Sequence, residues 1–357
     1  MLPAMLPAPL LLLLLKATVV LVAALAAARL LQRASAGARH VVWLVTLGAL
    51  LVVVPALAAW APLHLAVLPA LPTPAATAAP VSAPIVQARA PDVVPAPRVP
   101  SLRAPPSTPA VDAPTPRRLA LGPTLLALWA AVTLAIGGAL VRAWLAVRRI
   151  LRRAAPLSSP DWTDPLYEIA DRLGLDDAPR LVRSADARMP FACGLSRPTV
   201  VLPAGSDDWT PARRRAVLLH ELAHVRRRDL AGHTLARVAC ALWWFHPLVW
   251  TAARRLRAES ERACDDLALA CGARPADYAE HLLDIVTSAR GDATPITALA
   301  MARRTEFEGR MLDILDPERP RGAPTRRQTL ALTGALGVVT AVVSATAPAP
   351  RATPAAP

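Results

Sequence analysis

The pentad His220-Glu221-Leu222-Ala223-His224 is where residue type and spacing in this 357-residue chain point to chemistry. Two histidines four apart share one face of a helix, so their imidazoles can grip one metal ion. Glu221, about 100° round the axis from His220, can work on a metal-bound water without ligating the metal. In a chain with 7 histidines the pentad is expected by chance only about 0.003 times, which makes a pair of incidental helix histidines the weaker reading. A catalytic zinc takes a third protein ligand and keeps its fourth position for water. The run Glu259-Ser-Glu-Arg-Ala-Cys-Asp-Asp266 offers four carboxylates for this. Glu261 and Asp265 are four apart, so one can bind the metal while the other hydrogen-bonds a ligand histidine. Spacing barely separates Glu261 from Glu259, and the alternative for the whole run is a solvated acidic face paired with Arg254, Arg255, Arg257 and Arg262.

Several elements must position these groups. Apolar periodicity predicts helices over 161–173, 211–230, 248–270 and 278–288, and short strands over 180–183 and 199–202. The body from about Ala154 to Thr325 therefore reads as a mostly helical α+β domain with a small sheet ahead of its main helices. Met189, Pro190, Phe191, Ala192, Cys193 and Gly194 could present an edge strand to an extended substrate. His246 is a candidate oxyanion helper, set against a packing or capping role beside Pro247. Asp229 reads as a partner for Arg226 to Arg228 or as a helix-end group. Cys193, Cys240, Cys264 and Cys271 form no CxxC pair, which excludes a zinc ribbon, and they are expected as reduced thiols.

With 54% hydrophobic residues the chain exceeds an ordinary soluble domain and cannot be intrinsically disordered. The excess lies in four apolar runs, 10–28, 41–63, 119–141 and 328–350, each long enough to cross a bilayer as a helix. The first run could also serve as a signal peptide, but Lys16 interrupts it and a second span follows closely. Arg29, Arg33 and Arg39, then Arg142, Arg148, Arg149, Arg152 and Arg153, then Arg326 and Arg327 flank the runs on one side, which the positive-inside rule makes cytoplasmic. Between the second and third spans, residues 69–116 hold 14 prolines and read as an extended outer spacer. The apolar stretch 238–253 is too short to cross and reads as a core or interfacial helix.

The strings His220-Glu-Leu-Ala-His-Val-Arg-Arg-Arg-Asp229, Phe245-His-Pro-Leu-Val-Trp250 and Glu261-Arg-Ala-Cys-Asp265 resemble the BlaR/MecR-type family of membrane zinc metallopeptidases. So do Arg33 to Ala36 followed by His40-Val-Val-Trp43, Pro190 with Gly194, and Arg197-Pro-Thr-Val-Val-Leu-Pro203. The resemblance implies a gluzincin-like zinc domain (149–325) hanging into the cytoplasm between a third span (119–148) and a fourth (328–347). Two spans within 10–63 and an outer segment over 64–118 would precede it, and a short outer tail over 348–357 would follow. It places the third zinc ligand on Glu261 and a supporting role on Asp265. It also implies a bacterial inner-membrane signal transducer that binds one zinc, contacts membrane lipid, and cleaves itself or a cytoplasmic protein such as a transcriptional repressor. The few residues after the fourth span leave no room for the penicillin-binding sensor of the best-known members, so direct acylation by a β-lactam is not expected.

The expected reaction is peptide hydrolysis by zinc-activated water with Glu221 as general base. A catalytically idle scaffold is the alternative, although it would not need Glu221. The formal charge of +14 raises nucleic acid as a partner, yet residues 154–325 carry 23 basic and 24 acidic groups. The excess sits at the span ends, which makes it a topology signal and argues against direct nucleic-acid binding.

Overall fold

The computed structural model describes residues 8–60, 63–68, 121–289 and 297–350; the Pro-rich spacer expected at 69–116 lies outside them. Among the described residues three helices are long and apolar enough to cross a membrane: α1 (Ala8–Leu30), α4 (Leu121–Arg153) and α11 (Arg326–Ala345). The run expected as one second span is divided into α2 (Ala36–Leu51) and α3 (Val53–Trp60). Pro55 accounts for the break, because it offers no N–H to the Leu51 carbonyl and its ring crowds that group. Past α3, strand β1 (Leu63–Leu68) pairs in parallel with β6 (Thr346–Pro350), which follows α11. The ends of α3 and α11 therefore lie together. The lysine inside the first apolar run has a local explanation: Lys16 is buried and its Nζ donates to the Ser344 carbonyl at 2.6 Å, a cation capping the C-terminal end of α11.

The body begins with β2 (Ala155–Pro156) and α5 (Pro160–Arg172), followed by β3 (Arg180–Ser184), β4 (Phe191–Cys193) and β5 (Thr199–Pro203). These strands form one sheet in the order β2-β3-β5-β4, with β3 parallel to β5 and β4 antiparallel to it. β4 is thus an edge strand. The turn from β4 to β5 needs Gly194: its φ is +90°, and a Cβ there would stand 2.3 Å from the Arg197 carbonyl oxygen. The helices that follow are α6 (Pro211–Arg227), α7 (Asp229–Leu242), α8 (Pro247–Ala270), α9 (Pro275–Ala289) and α10 (Thr297–Leu315). α6 starts where Thr210 caps it, accepting from the Arg213 N–H, with Pro211 at the first position. Its apolar face, Val217, Leu218 and Leu222, joins Trp162 and Ile169 of α5, Leu202 of β5, Tyr278 of α9 and Ile314 of α10 in the core of the body.

A second core merges the body with the apolar helices. Leu21 of α1 and Val42, Trp43, Leu47 and Leu50 of α2 pack with Ala239 and Trp243 of α7 and Val249, Ala252 and Leu256 of α8. Within 238–253, Ala239, Cys240, Trp243, Val249 and Ala252 are buried in the core of the helix bundle, while Val238, Phe245 and Trp250 are exposed. At its tip the Leu242 carbonyl accepts from Trp129 Nε1 of α4 at 2.9 Å, and His246 Nε2 lies 3.0 Å from the Thr18 hydroxyl of α1. Thr18 is about 16 Å along α1 from Arg29, and Trp129 about 20 Å along α4 from Arg142, at 1.5 Å per residue. The tip of the α7–α8 hairpin thus lies well inside the apolar helix bundle.

Candidate metal centre

α6 carries His220, Glu221 and His224 on its last two turns, and α8 brings Glu261 against them. The two Nε2 atoms are 3.3 Å apart; Glu261 Oε2 is 3.6 Å from that of His220, and Oε1 is 3.9 Å from that of His224. The other ring nitrogens are occupied. His220 Nδ1 meets the Tyr278 hydroxyl at 2.9 Å and Asp265 Oδ1 at 3.3 Å, while His224 Nδ1 meets Asp229 Oδ2 at 3.0 Å. With each Nδ1 held by a carboxylate, the two Nε2 atoms face the same point, as two ligands of one cation would. Two ligands of a tetrahedral zinc with bonds of about 2.0–2.1 Å stand roughly 3.3–3.4 Å apart, so the imidazole pair is already at ligand spacing and the carboxylate is slightly open. The residues present fit a divalent metal.

Electrostatics agree. Burial disfavours an imidazolium at His220, yet hydrogen bonds to Asp265 and Glu261 outweigh it and raise its pKa to about 10. The carboxylates of Glu261 and Asp265 favour a cation beside His220. Arg310 of α10 supplies one such charge, with Nη1 2.9 Å from Glu261 Oε2 and Nε 2.9 Å from Asp265 Oδ2. Burial opposes ionisation of Glu261 and Asp265, but His220 and Arg310 hold both below the ordinary carboxylate range.

The turn between α6 and α7 places Asp229. Arg228 adopts a left-handed conformation (φ 54°) and its N–H closes the end of α6, so the helix expected to run over 211–230 stops and restarts. Asp229 then folds back under His224, where Oδ2 also takes the Cys264 thiol at 3.1 Å and Arg227 Nε at 3.3 Å. As expected, Asp229 partners an arginine at a helix end; it also orients His224, a task its distance from the pentad did not signal. The second helix of the bundle reaches the same place. Arg39 Nη2 is 2.8 Å from Glu259 Oε2, both buried, and His40 Nε2 is 3.8 Å from Asp229 Oδ1. Glu259 is thereby engaged away from the metal centre, and Glu261 is the carboxylate that meets both histidines.

An open cleft of 1460 Å³ gives access, lined by His220, Glu221, His224, Glu261 and the whole segment from Met189 to Gly194. Glu221 is close enough to β4 that, after burial, its charge helps push the Cys193 thiol up to about 11. His246 does not line this cleft, which corrects its assignment as an oxyanion helper. It caps the far end of α8, about 22 Å along the axis from Glu261, beside Thr18 in the helix bundle. Tyr278 and Arg310 belong to no motif, and Arg39 and His40 stood out only as a span-end charge and as part of a family string, since each reaches the site from a distant part of the chain.

Two imidazoles and a carboxylate converging beside a buried glutamate, at one end of an apolar helix bundle, form a candidate metal site of the type that metallopeptidases use. Residues 9–314 match the family described as BlaR1 peptidase M56, and the chain belongs to that family. An 85-residue stretch, 24% of the chain, is 33% identical to the regulatory protein BlaR1 of Bacillus licheniformis and spans 14% of that protein.

Proposed function

We propose that this protein is a zinc-dependent endopeptidase of the inner membrane, with its body in the cytoplasm, that transduces a signal by cleaving itself or a cytoplasmic regulator such as a transcriptional repressor. The observation that carries the reading is the pair of Nε2 atoms facing Glu261 with Glu221 alongside. His220, His224 and Glu261 would hold the zinc, which when bound supplies a Lewis acid and a water of lowered pKa. Asp265 and Tyr278 orient His220, and Asp229 orients His224. Glu221 takes the proton of the attacking water and delivers it to the leaving amine. β4 lies in the cleft with one edge unpaired among the described residues, to which an extended substrate can add as a strand. Family membership and likeness to a regulatory protein support the regulatory role.

The test is to purify the full chain in detergent, measure its zinc, and compare cleavage of itself and of candidate repressors with Glu221→Gln. One zinc in both proteins and cleavage only by the parent is expected. Zinc-free parent protein, or equal cleavage by the two, would leave a non-catalytic scaffold as the better reading.

A further inference from the structure

The cleft has a wall made by the α7–α8 hairpin. On α7, His233 and Arg237 continue the face that begins with Asp229; on α8, Arg254 and Arg257 continue the face that ends with Glu261. All four line the cleft, as does Arg228 at the turn between α6 and α7. Along the α8 axis Arg257 and Arg254 stand about 6 and 10 Å from Glu261. That is two to three residues of an extended chain.

Arginines 39, 227, 262 and 310, which surround the metal centre, are each ion-paired. Among the described residues, Arg228, Arg237, Arg254 and Arg257 have no carboxylate at ion-pair distance; Arg254 touches only the Thr251 hydroxyl. His233 Nε2 is buried with no hydrogen-bond partner among the described residues. The other carboxylates of the cleft, Asp176, Asp177 and Glu306, come from the loop after α5 and from α10. One wall therefore gathers like charges in a concavity, where they attract anions and gain from an incoming carboxylate.

We propose that this wall recognises acidic side chains two to three residues to one side of the scissile bond, so that the cleft selects an acidic extended peptide. The inference rests on the peptidase reading above and names its substrate class. A phospholipid headgroup is the competing anion, but these arginines share a cleft with Glu221 and the β4 edge, a shape suited to a chain.

The test measures binding, so it does not depend on turnover. Full-length, zinc-loaded Glu221→Gln protein in phosphatidylcholine nanodiscs is titrated with three labelled decapeptides differing only in a Glu, Gln or Lys pair. The Glu peptide should bind about five- to tenfold tighter than the Gln peptide, with the gap shrinking in salt. The added changes Arg254→Gln and Arg257→Gln should abolish the preference, and Arg254→Glu with Arg257→Glu should turn it toward the Lys peptide. Equal binding of the three peptides, or a preference untouched by these changes, overturns the proposal. So does an effect of the arginine changes that appears only as weaker binding to phosphatidylglycerol vesicles. Cleavage of the Gln peptide by the parent protein is scored separately, so failure of the peptidase reading is not mistaken for failure of this one.

Discussion

Replacing Asp229 by asparagine tests whether the centre is a metal site held in place by its surroundings. Asp229 is 2% exposed, and its Oδ2 receives His224 Nδ1, the Cys264 thiol and Arg227 Nε. Burial alone would raise its pKa, but the bond from His224 and the charge of Arg227 hold it below the ordinary range, so the group is an anion that fixes the tautomer of His224. Asparagine keeps the shape but turns charge-assisted bonds into neutral ones of roughly half the strength. Loss of a carboxylate behind a ligand histidine weakens metal binding by about 10- to 100-fold, or about 1.4–2.7 kcal/mol. A competition titration of zinc against a chromophoric chelator, on detergent-solubilised protein at pH 7.5, measures this. Far-UV circular dichroism checks the fold, and Asp186→Asn, an exposed carboxylate beside Arg153, is the control. Zinc affinity within twofold of the parent, with the fold intact, would refute the role given to Asp229.

Burial raises the Asp266 pKa to about 6, with Arg319 opposing and Asp265 adding to the shift. The folded state thus holds the proton more tightly than the unfolded one, and stability is lost as pH rises from about 4 to about 6; Asp266→Asn should stabilise by about 2–3 kcal/mol more at pH 8 than at about pH 3.5, read from unfolding midpoints at both values. Arg39→Met leaves buried Glu259 with only Arg262 at 3.3 Å and should cost about 2–4 kcal/mol. Adding Glu259→Gln should recover most of that, and additive losses in the thermal-unfolding cycle would disprove the pairing. Gly194→Ala forces a Cβ into the Arg197 carbonyl and should cost about 1–3 kcal/mol, with weaker binding of any peptide that adds to β4; an unchanged melting temperature would show that the turn relaxes freely.

The pentad and the acidic helix were legible because helical periodicity puts residues four apart on one face, and that rule holds wherever the helix packs. The strands at Arg180 and Thr199 and the helices expected from 161, 248 and 278 followed from apolar patterning in the same way, and the helices begin at Pro160, Pro247 and Pro275. What periodicity does not carry is a change of direction. Nothing in three consecutive arginines signals that Arg228 turns left-handed and returns Asp229 to His224. Tyr278 and Arg310 meet the centre through tertiary packing alone. His246 looked chemical because histidine is rare here, but an imidazole at the first turn of a long helix lies a helix length away from groups on its last turns. The proline at 55 was visible in the sequence, yet an unbroken apolar run masked its effect on the second span.

The contacts of Arg39 and His40 bear on how the protein can be divided. A fragment beginning at α4 or later would leave Glu259 without its strongest partner and Asp229 without His40, and would bare Trp243, Val249 and the rest of the hairpin core to water. The surroundings of the candidate metal centre are completed by a helix encoded some 180 residues ahead of the pentad. Swapping the first two apolar helices for those of another protein is therefore a change to that centre, and chimaeras or soluble truncations should be judged by their metal content.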